Sequence, residues 1–354
     1  MGGLQFTARR IFQLQLVPFL AYTDINKAPE QVKKEMHPMK KLIVLLLSAL
    51  LIFSSVCCAE GAGRKTDFPD NTFEEMDPNY VTGVTQRGKT VLFRYDAQTP
   101  DGQAYTKSAL VYVPYGYNPE DMDTRYNVMY LLHGHGGGYT TFFRGAGSFS
   151  NMQFVLDAMI EKGRIEPMFI VTPTYAVPGK DEYWGSANFW HELNNYLIPA
   201  FESSYRTYAQ DVTPEGIKAS RTHRALSGFS MGSLTTWVTF PHSLDQIAYY
   251  MPCCGGASFG ADAADAAKTL ADAVANAGYT KDDFFIYAGC GGVGDVGYAG
   301  LTAQIEAMKL LPDTFVYCEN FRDGNLYYTQ CSGGHSTKSV ELIMYCALPT
   351  FFDK

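Results

Sequence analysis

Short apolar runs alternate with helical patterns along most of this chain, and this alternation constrains its fold more than any other feature. The runs are closed by Gly or Pro, which is typical of strands buried on both faces. Such alternation predicts an α/β fold: a mostly parallel central sheet, helices on both faces, and ligands at the carboxyl ends of the strands. The candidate strands are 109–113, 128–132, 168–172, 224–227, 247–251 and 284–288, and the candidate helices are 151–162, 188–205, 233–240, 262–277 and 301–310.

No repeat or low-complexity linker divides this region, so it predicts a single domain over 80–354. Residues 99–126, which carry Pro and Tyr, predict an antiparallel strand region that leads into the main sheet. In 188–205, apolar residues recur at helical spacing and predict a core-facing stripe, with a kink at Pro199.

The first 79 residues differ in character from this domain. Lys40-Lys41 precede an apolar run over 42–58, and small residues stand at Cys57 and Ala59. This pattern predicts a signal peptide over 39–59, cleaved after Ala59, and hence a secreted or periplasmic protein. The polar stretch that follows supplies no stop-transfer flank, so we expect no permanent membrane span.

We expect residues 1–38 to be an upstream extension, untranslated or unstructured, and 60–79 to be a linker. Translation from Met36 or Met39 would place the signal at the N-terminus, where such signals stand. Lipid anchoring at Cys57 or Cys58 is the alternative to cleavage, and Val56 is a poor residue to precede a lipidated cysteine.

Composition excludes some partners and cofactors. The chain has 354 residues and a net charge of −8, whereas phosphate-collecting surfaces are rich in Lys and Arg, so nucleic acid is not an expected partner. Six cysteines remain after residue 59, without any Cys-x-x-Cys spacing, which disfavours a thiolate metal site. Disulfides are optional in a domain of this size. We expect neither a metal nor a cofactor.

The strongest local motif is Gly228-Phe229-Ser230-Met231-Gly232, which follows a candidate strand and precedes a candidate helix. It matches the G-x-S-x-G nucleophile elbow, a turn so tight that the flanking positions must lack side chains. In that context Ser230 is the predicted nucleophile, and the helix N-terminus beside it favours developing negative charge.

A nucleophilic serine needs a histidine to take its proton and a carboxylate to orient that histidine. In this fold the chain order is Ser, then Asp or Glu, then His, and the histidines that follow Ser230 are His242 and His335. His242 ends the helix that leaves the elbow, on the wrong side to turn back. His335 follows a candidate strand over 325–331 and a Gly-Gly pair, so it is the predicted base.

Asp295 is the predicted acid, because it lies on the loop after strand 284–288, at the carboxyl edge of the sheet. Asp313 precedes a strand, and Asp323-Gly324 predicts a hairpin turn between strands 315–321 and 325–331. Three further acids lie on a predicted helix and are expected to be solvated: Asp262, Asp265 and Asp272.

Hydrolysis of an acyl group also needs donors for an oxyanion. The residue after the nucleophile, Met231, can supply its backbone N–H, and the loop after an early strand should supply the other. That loop, 131–138, reads LLHGHGGG, and the backbone of His135 is the predicted second donor. A metal pair of His133 and His135 is disfavoured, since no further ligands lie near them in the sequence.

Residues 289–294 formally fit the dinucleotide fingerprint G-x-G-x-x-G. The motif comes late in the chain, no helix opens directly after it, and no acidic ribose partner follows. We interpret these glycines as the turn that presents Asp295.

With these residues placed, region 80–354 resembles the esterase D and feruloyl esterase group of α/β-hydrolases, the first carbohydrate esterase family. The chain departs from the family at Phe229 and Ser233, where Leu and Gly are common, and at Cys253-Cys254, where small polar residues are usual. The matching runs are Val111-Tyr112-Val113-Pro114, Gly116-Tyr117-Asn118, Tyr130-Leu131-Leu132-His133-Gly134, Leu197-Ile198-Pro199 with Glu202 and Tyr205, Tyr250-Met251-Pro252, Asp295 through Tyr298, and Gly333-Gly334-His335.

The resemblance implies an α/β-hydrolase fold and a Ser230, Asp295 and His335 triad. It also implies a secreted serine esterase acting on feruloyl or acetyl groups of plant cell-wall polysaccharide such as xylan. Acyl transfer to a sugar or lipid alcohol and a non-catalytic carbohydrate-binding relative are the alternatives. Trp184 is a candidate substrate contact, since its ring could stack on a sugar or an aromatic acyl group, although core packing explains it equally well.

Overall fold

One eight-stranded sheet organises the part of the chain that the computed structural model describes, residues 74–148, 150–318 and 323–352. The predicted extension and signal peptide lie outside these residues. In the sheet the strands follow the order β1-β2-β4-β3-β5-β6-β7-β8. They are β1 (Lys89–Gln98), β2 (Ala104–Val113), β3 (Asn127–Leu132), β4 (Met168–Thr172), β5 (Arg224–Phe229), β6 (Tyr249–Cys253), β7 (Phe285–Cys290) and β8 (Leu326–Gln330).

Helices cover the sheet in two groups. The helices are α1 (Asn151–Glu161), α2 (Glu182–Glu192), α3 (Ile198–Ser204), α4 (Pro214–Ala219), α5 (Met231–Ser243), α6 (Ala263–Asn276), α7 (Tyr298–Lys309) and α8 (Thr337–Ala347). In one group α1 packs on α8, and α8 contacts β6 and β7. In the other group α2 packs on α5, which contacts β3, β5 and β6; α5 also contacts α6, and α6 packs on α7. Among the described residues, no helix has both the length and the apolar character needed to cross a membrane.

The predicted α/β class is confirmed: β3 to β8 run parallel, while β1 and β2 form an antiparallel hairpin at one edge. The predicted antiparallel region thus exists but begins earlier than residue 99. Sequence reasoning missed β1, because this edge strand alternates buried with exposed positions and lacks a continuous apolar run. Packing also begins before residue 80, since Glu74 accepts a hydrogen bond from Arg164 Nη2 at 2.7 Å.

Two local predictions need correction. The helical run predicted over 188–205 begins at Glu182 and contains a π-helical turn, Leu193–Leu197, just before Pro199. Ile198 N–H donates to Leu193 O, five residues earlier, and Pro199, which follows, has no N–H to continue the helical bonding. The hairpin predicted at Asp323-Gly324 is wrong, because β8 pairs with β7 in parallel and Tyr317 forms only an isolated parallel bridge with Leu326.

A buried ion pair anchors the start of the central strand β5. Arg224 and Glu202 have side chains that are each 1% exposed, and the guanidinium binds both carboxylate oxygens. Arg224 Nη1 also donates to Ile217 O at 2.6 Å and to Gln246 O at 2.9 Å. Every charge in this cluster therefore has a partner, as burial requires.

Removal of Glu202 tests how much the Arg224–Glu202 ion pair stabilises the fold. We expect Glu202→Ala to lower the free energy of unfolding by about 3–5 kcal/mol, because the Arg224 charge stays buried without its counter-charge. Urea denaturation measures this loss. The exposed Glu215→Ala variant is the control and should change stability by less than about 0.5 kcal/mol. A loss below about 1 kcal/mol in Glu202→Ala would contradict the assignment.

Candidate active site

Ser230 lies at a strained turn between β5 and α5. Its backbone has φ 56° and ψ −115°, a region that non-glycine residues rarely occupy. The Ser230 N–H donates to Cys253 O, on the neighbouring strand β6, at 2.9 Å. A Cβ at Gly228 would collide with the Gly232 backbone, and a Cβ at Gly232 would lie 2.5 Å from Leu132 O. The predicted elbow therefore forms, and both glycines are sterically required.

His335 lies on the loop after β8 and faces the serine. Its Nε2 is 2.9 Å from Ser230 Oγ, and its Nδ1 is 2.6 Å from Asp295 Oδ1. Its side chain is 26% exposed, and its ring packs with its centroid 4.9 Å from that of Phe229. Because Nδ1–H donates to the carboxylate, Nε2 is left free to accept the serine proton.

Asp295 is buried, and hydrogen-bond donors of the protein take the place of water around its carboxylate. Its side chain has no exposed surface, and its oxygens accept hydrogen bonds from Gly291 N (2.8 Å) and Gly297 N (2.7 Å). Burial acts to raise the pKa of Asp295, but hydrogen bonds from Cys254, Gly291, Gly297 and His335 outweigh it and hold the pKa below its usual value. The carboxyl group is therefore ionised at neutral pH.

Cys254 is a residue of this site that sequence reasoning missed. Its Sγ lies within 4.8 Å of a carboxylate oxygen of Asp295, and the thiol acts to lower the pKa of that carboxyl group. Burial raises the pKa of the thiol far above its usual value, so the thiol stays protonated. The only available signal was the unusual Cys253-Cys254 pair after Met-Pro. Within the described residues, Cys254, Asp295 and His335 form the one group that could hold a metal ion, with ligand atoms within 4.8 Å of one another. The six cysteines after residue 59, all among the described residues, are buried and stand outside any disulfide.

The loop after β3 passes beside the serine. A Cβ built at Gly134 would lie 3.3 Å from the Ser230 Cβ. Within the described part of the chain, the backbone N–H groups of His135 and Met231 donate to no protein acceptor. Met231 is the first residue of α5, where helical N–H groups have no intrahelical partner. Two free donors thus lie on the segments that flank Ser230.

The imidazole of His133 connects this loop to the segment that follows β4. It is 1% exposed, with Nδ1 2.7 Å from Gly134 O and Nε2 2.7 Å from Thr174 Oγ1. Burial lowers the pKa of His133, so the ring is neutral. His135 instead directs its Nδ1 to Glu182 at 2.9 Å. The two rings therefore have separate protein partners.

Trp184 contacts residues other than the serine. Lys180 Nζ lies 4.8 Å from the Trp184 ring centroid, and Trp184 lines a small cleft with residues of the β1–β2 hairpin, among them Gln98, Thr99, Pro100 and Tyr105. Its neighbour Tyr183 is 71% exposed, and its ring centroid lies 6.0 Å from that of His135. Tyr183 is therefore an exposed aromatic residue beside the loop after β3, residues 133–138, which we call the oxyanion loop after the predicted role of its His135 N–H.

An imidazole between a strained serine and a buried carboxylate, all at the carboxyl edge of a mostly parallel sheet, defines the α/β-hydrolase class. The model of the family "Putative esterase" matches residues 106–254. The chain is similar to the feruloyl esterase module from Clostridium thermocellum, solved as an alanine mutant complexed with sinapinate, with 36% identity and a TM-score of 0.70. This likeness covers 81% of our chain and 96% of that module. The chain therefore belongs to the feruloyl esterase group of α/β-hydrolases, a family of carboxylic ester hydrolases.

Two longer relatives share this region. Endo-1,4-beta-xylanase Y of Acetivibrio thermocellus is 39% identical over 275 residues, which is 77% of our chain and 24% of the relative. The endo-1,4-beta-xylanase/feruloyl esterase of Xylanibacter ruminicola is 26% identical over 211 residues, 57% of our chain and 25% of the relative. The chain spans about a quarter of the length of these relatives.

The elbow geometry predicts a sharp effect of one methyl group. In Gly232→Ala the new Cβ would lie 2.5 Å from Leu132 O and 2.6 Å from His133 O, which pushes the serine away from the oxyanion loop. We expect kcat/KM for an activated ester to fall about 100-fold, since a displacement of about 1 Å costs that much.

Gly300→Ala is the matched control for this prediction, because Gly300 lies within α7 with open space around its Cα. It should keep wild-type kcat/KM and gain stability slightly. Equal activity of Gly232→Ala and Gly300→Ala would show that the contact between elbow and loop is not required.

Proposed function

We propose that this protein is a serine esterase that hydrolyses hydroxycinnamoyl esters, feruloyl or sinapoyl, of plant cell-wall xylan. The observation that carries the proposal is the chain of two hydrogen bonds from Ser230 Oγ through the His335 imidazole to Asp295, at 2.9 Å and 2.6 Å. These distances lie within the range that proton transfer needs.

In the first half-reaction Ser230 Oγ attacks the ester carbonyl while His335 Nε2 takes its proton. The imidazolium is stabilised by the Asp295 carboxylate, whose lowered pKa keeps it charged. The backbone N–H groups of His135 and Met231 stabilise the negative oxygen of the tetrahedral intermediate. His335 then protonates the leaving sugar oxygen, and an acyl-enzyme on Ser230 remains.

In the second half-reaction water replaces the sugar. His335 takes a proton from this water, hydroxide attacks the acyl carbonyl, and the same two N–H groups stabilise the second tetrahedral intermediate. Collapse returns the proton to Ser230 Oγ and releases the carboxylic acid. Atoms and charges balance without a metal or a redox cofactor.

The substrate class rests on the comparisons and on one exposed ring. The similar module from Clostridium thermocellum carries sinapinate, and both longer relatives are named xylanases. Tyr183 offers an exposed ring beside the oxyanion loop, where a phenolic acyl group could stack. Acetyl groups of xylan, which lack a ring, are the other acyl class to test.

A polymeric xylan substrate fits an exported protein. We propose that the esterase domain spans 80–354 together with the packed residues from Glu74 onward. We also propose that 39–59 is a signal peptide, cleaved after Ala59 to release the enzyme into the periplasm or medium. N-terminal sequencing of the protein secreted from its own host tests this. A new N-terminus at Glu60 supports the proposal, and a lipid-modified Cys57 or Cys58 would contradict it.

The central test uses the residue 60–354 chain and its Ser230→Ala variant on methyl ferulate, methyl sinapinate and acetylated xylan. We expect the wild-type chain to release ferulate and sinapinate, and Ser230→Ala to lose roughly 10⁵-fold or more in kcat, because no nucleophile remains. Product analysis with added methanol and free sugars separates hydrolysis from acyl transfer. Wild-type rates in Ser230→Ala would exclude this mechanism.

Asp295 is tested by Asp295→Asn, which keeps the shape of the side chain and removes its charge. We expect kcat to fall about 10³–10⁴-fold, because the amide no longer stabilises the imidazolium and disturbs the tautomer of His335. Asp323→Asn, outside the site, is the control and should keep wild-type kcat. A loss below about tenfold in Asp295→Asn would assign the acid elsewhere.

A further inference from the structure

The acidic residue Glu182 contacts the oxyanion loop from outside the triad. Its Oε2 accepts a hydrogen bond from the Gly136 N–H at 3.0 Å and lies 2.9 Å from His135 Nδ1. One carboxylate oxygen therefore holds both the side chain of His135 and the peptide that follows it. Together these contacts restrict the torsions of His135 and so the direction of its own N–H.

Glu182 is itself tied to the helix that carries the nucleophile. It is the first residue of α2, and four residues later Ser186 Oγ lies 2.7 Å from Thr235 Oγ1 of α5. A Cβ at Gly185 would collide with Tyr175 O, so α2 packs closely against the segment that follows β4. The carboxylate of Glu182 thus links the oxyanion loop to the element that begins directly after Ser230.

The far end of α2 is held just as firmly. Glu192 is 3% exposed and binds Lys107 Nζ at 2.6 Å, and it accepts hydrogen bonds from Tyr95 OH at 2.6 Å and Tyr105 OH at 2.7 Å. A buried ion pair with satisfied partners resists displacement, because breaking it leaves a buried charge. Contacts near both ends therefore hold helix α2, and with it Glu182, in place.

We propose that Glu182 is a positioning residue for the oxyanion hole, acting through His135. An oxyanion donor works only when it lies about 2.7–3.1 Å from the oxygen of the transition state, so a mobile loop would weaken catalysis without weakening ground-state binding. The inference rests on the proposed function, in which the His135 N–H is one of the two donors.

The experiment compares wild type, Glu182→Ala, Glu182→Gln and Glu215→Ala on methyl sinapinate. We expect Glu182→Ala to lose about 10- to 100-fold in kcat with little change in KM, less than the 10²–10³ lost when a donor is removed outright. Glu182→Gln keeps an oxygen that accepts the Gly136 N–H, so it should stay within about threefold of wild type. Glu215, also an acid in the first turn of a helix, is the matched control and should leave kcat unchanged.

Two inhibitors separate positioning from folding or binding. A trifluoromethyl ketone analogue of the ester forms a tetrahedral adduct with the serine, so its Ki should rise in Glu182→Ala by the same factor as kcat/KM falls. The Ki of the product sinapinate should not change. If Glu182→Ala does not fold, His135→Ala removes the loop side of the same contact and should show the same signature.

Several outcomes would overturn the inference. Activity of Glu182→Ala within twofold of wild type, an unchanged ketone Ki, or a loss confined to KM with weaker sinapinate binding would each do so. Failure of the proposed function looks different, because wild type itself would then release no acid and form no ketone adduct.

Discussion

The strained backbone at Ser230 is the constraint on which the rest of the site depends. A serine with positive φ costs about 1–3 kcal/mol and persists only when its surroundings impose it. Here the Ser230 N–H donates a hydrogen bond to Cys253 O. Gly228 and Gly232 lack side chains, which lets β5, α5 and the loop after β3 approach within contact distance. The sheet beneath must therefore be rigid, and the buried Arg224–Glu202 pair at the opposite end of β5 contributes to that rigidity.

Close backbone packing also brings the loop that carries Asp295 next to the loop that carries His335. A Cβ at Gly291 would collide with the Gly334 backbone, and one at Gly297 with Cys254 O. These close contacts bury Asp295 completely. Hydrogen bonds from two backbone N–H groups and from the His335 imidazole, together with the nearby Cys254 thiol, hold the pKa of Asp295 low and keep the carboxylate ionised. On the other side of the serine, carboxylate and imidazole contacts hold the oxyanion loop instead, through Glu182 and His133.

Much of the candidate site was predictable because catalysis imposes order on the sequence. A nucleophile elbow needs glycines at fixed spacing, and chain order then limits the base to two histidines and the acid to loops at the carboxyl edge. The residues that escaped prediction, Cys254, Glu182 and Tyr183, carry no such spacing rule. Each lies beside a predicted site residue, Asp295 or His135, that only folding brings near it. Strand β1 escaped because its exposed face breaks the apolar run, and the hairpin at Asp323 was wrong because a local turn signal competes with pairing to the more distant β7.

By itself, the sequence determined the α/β class and the strand that carries Ser230, because hydrophobic periodicity and turn sterics are local properties. It also predicted His335 and Asp295 as the partners of Ser230. Only the tertiary structure decided which side chains surround them. Hydrogen bonds such as Gly136 N to Glu182, across 46 positions, and His335 to Ser230, across 105, depend on how loops from distant strands meet at one edge of the sheet. Their distances follow from three-dimensional packing, which no pattern in the linear chain encodes on its own.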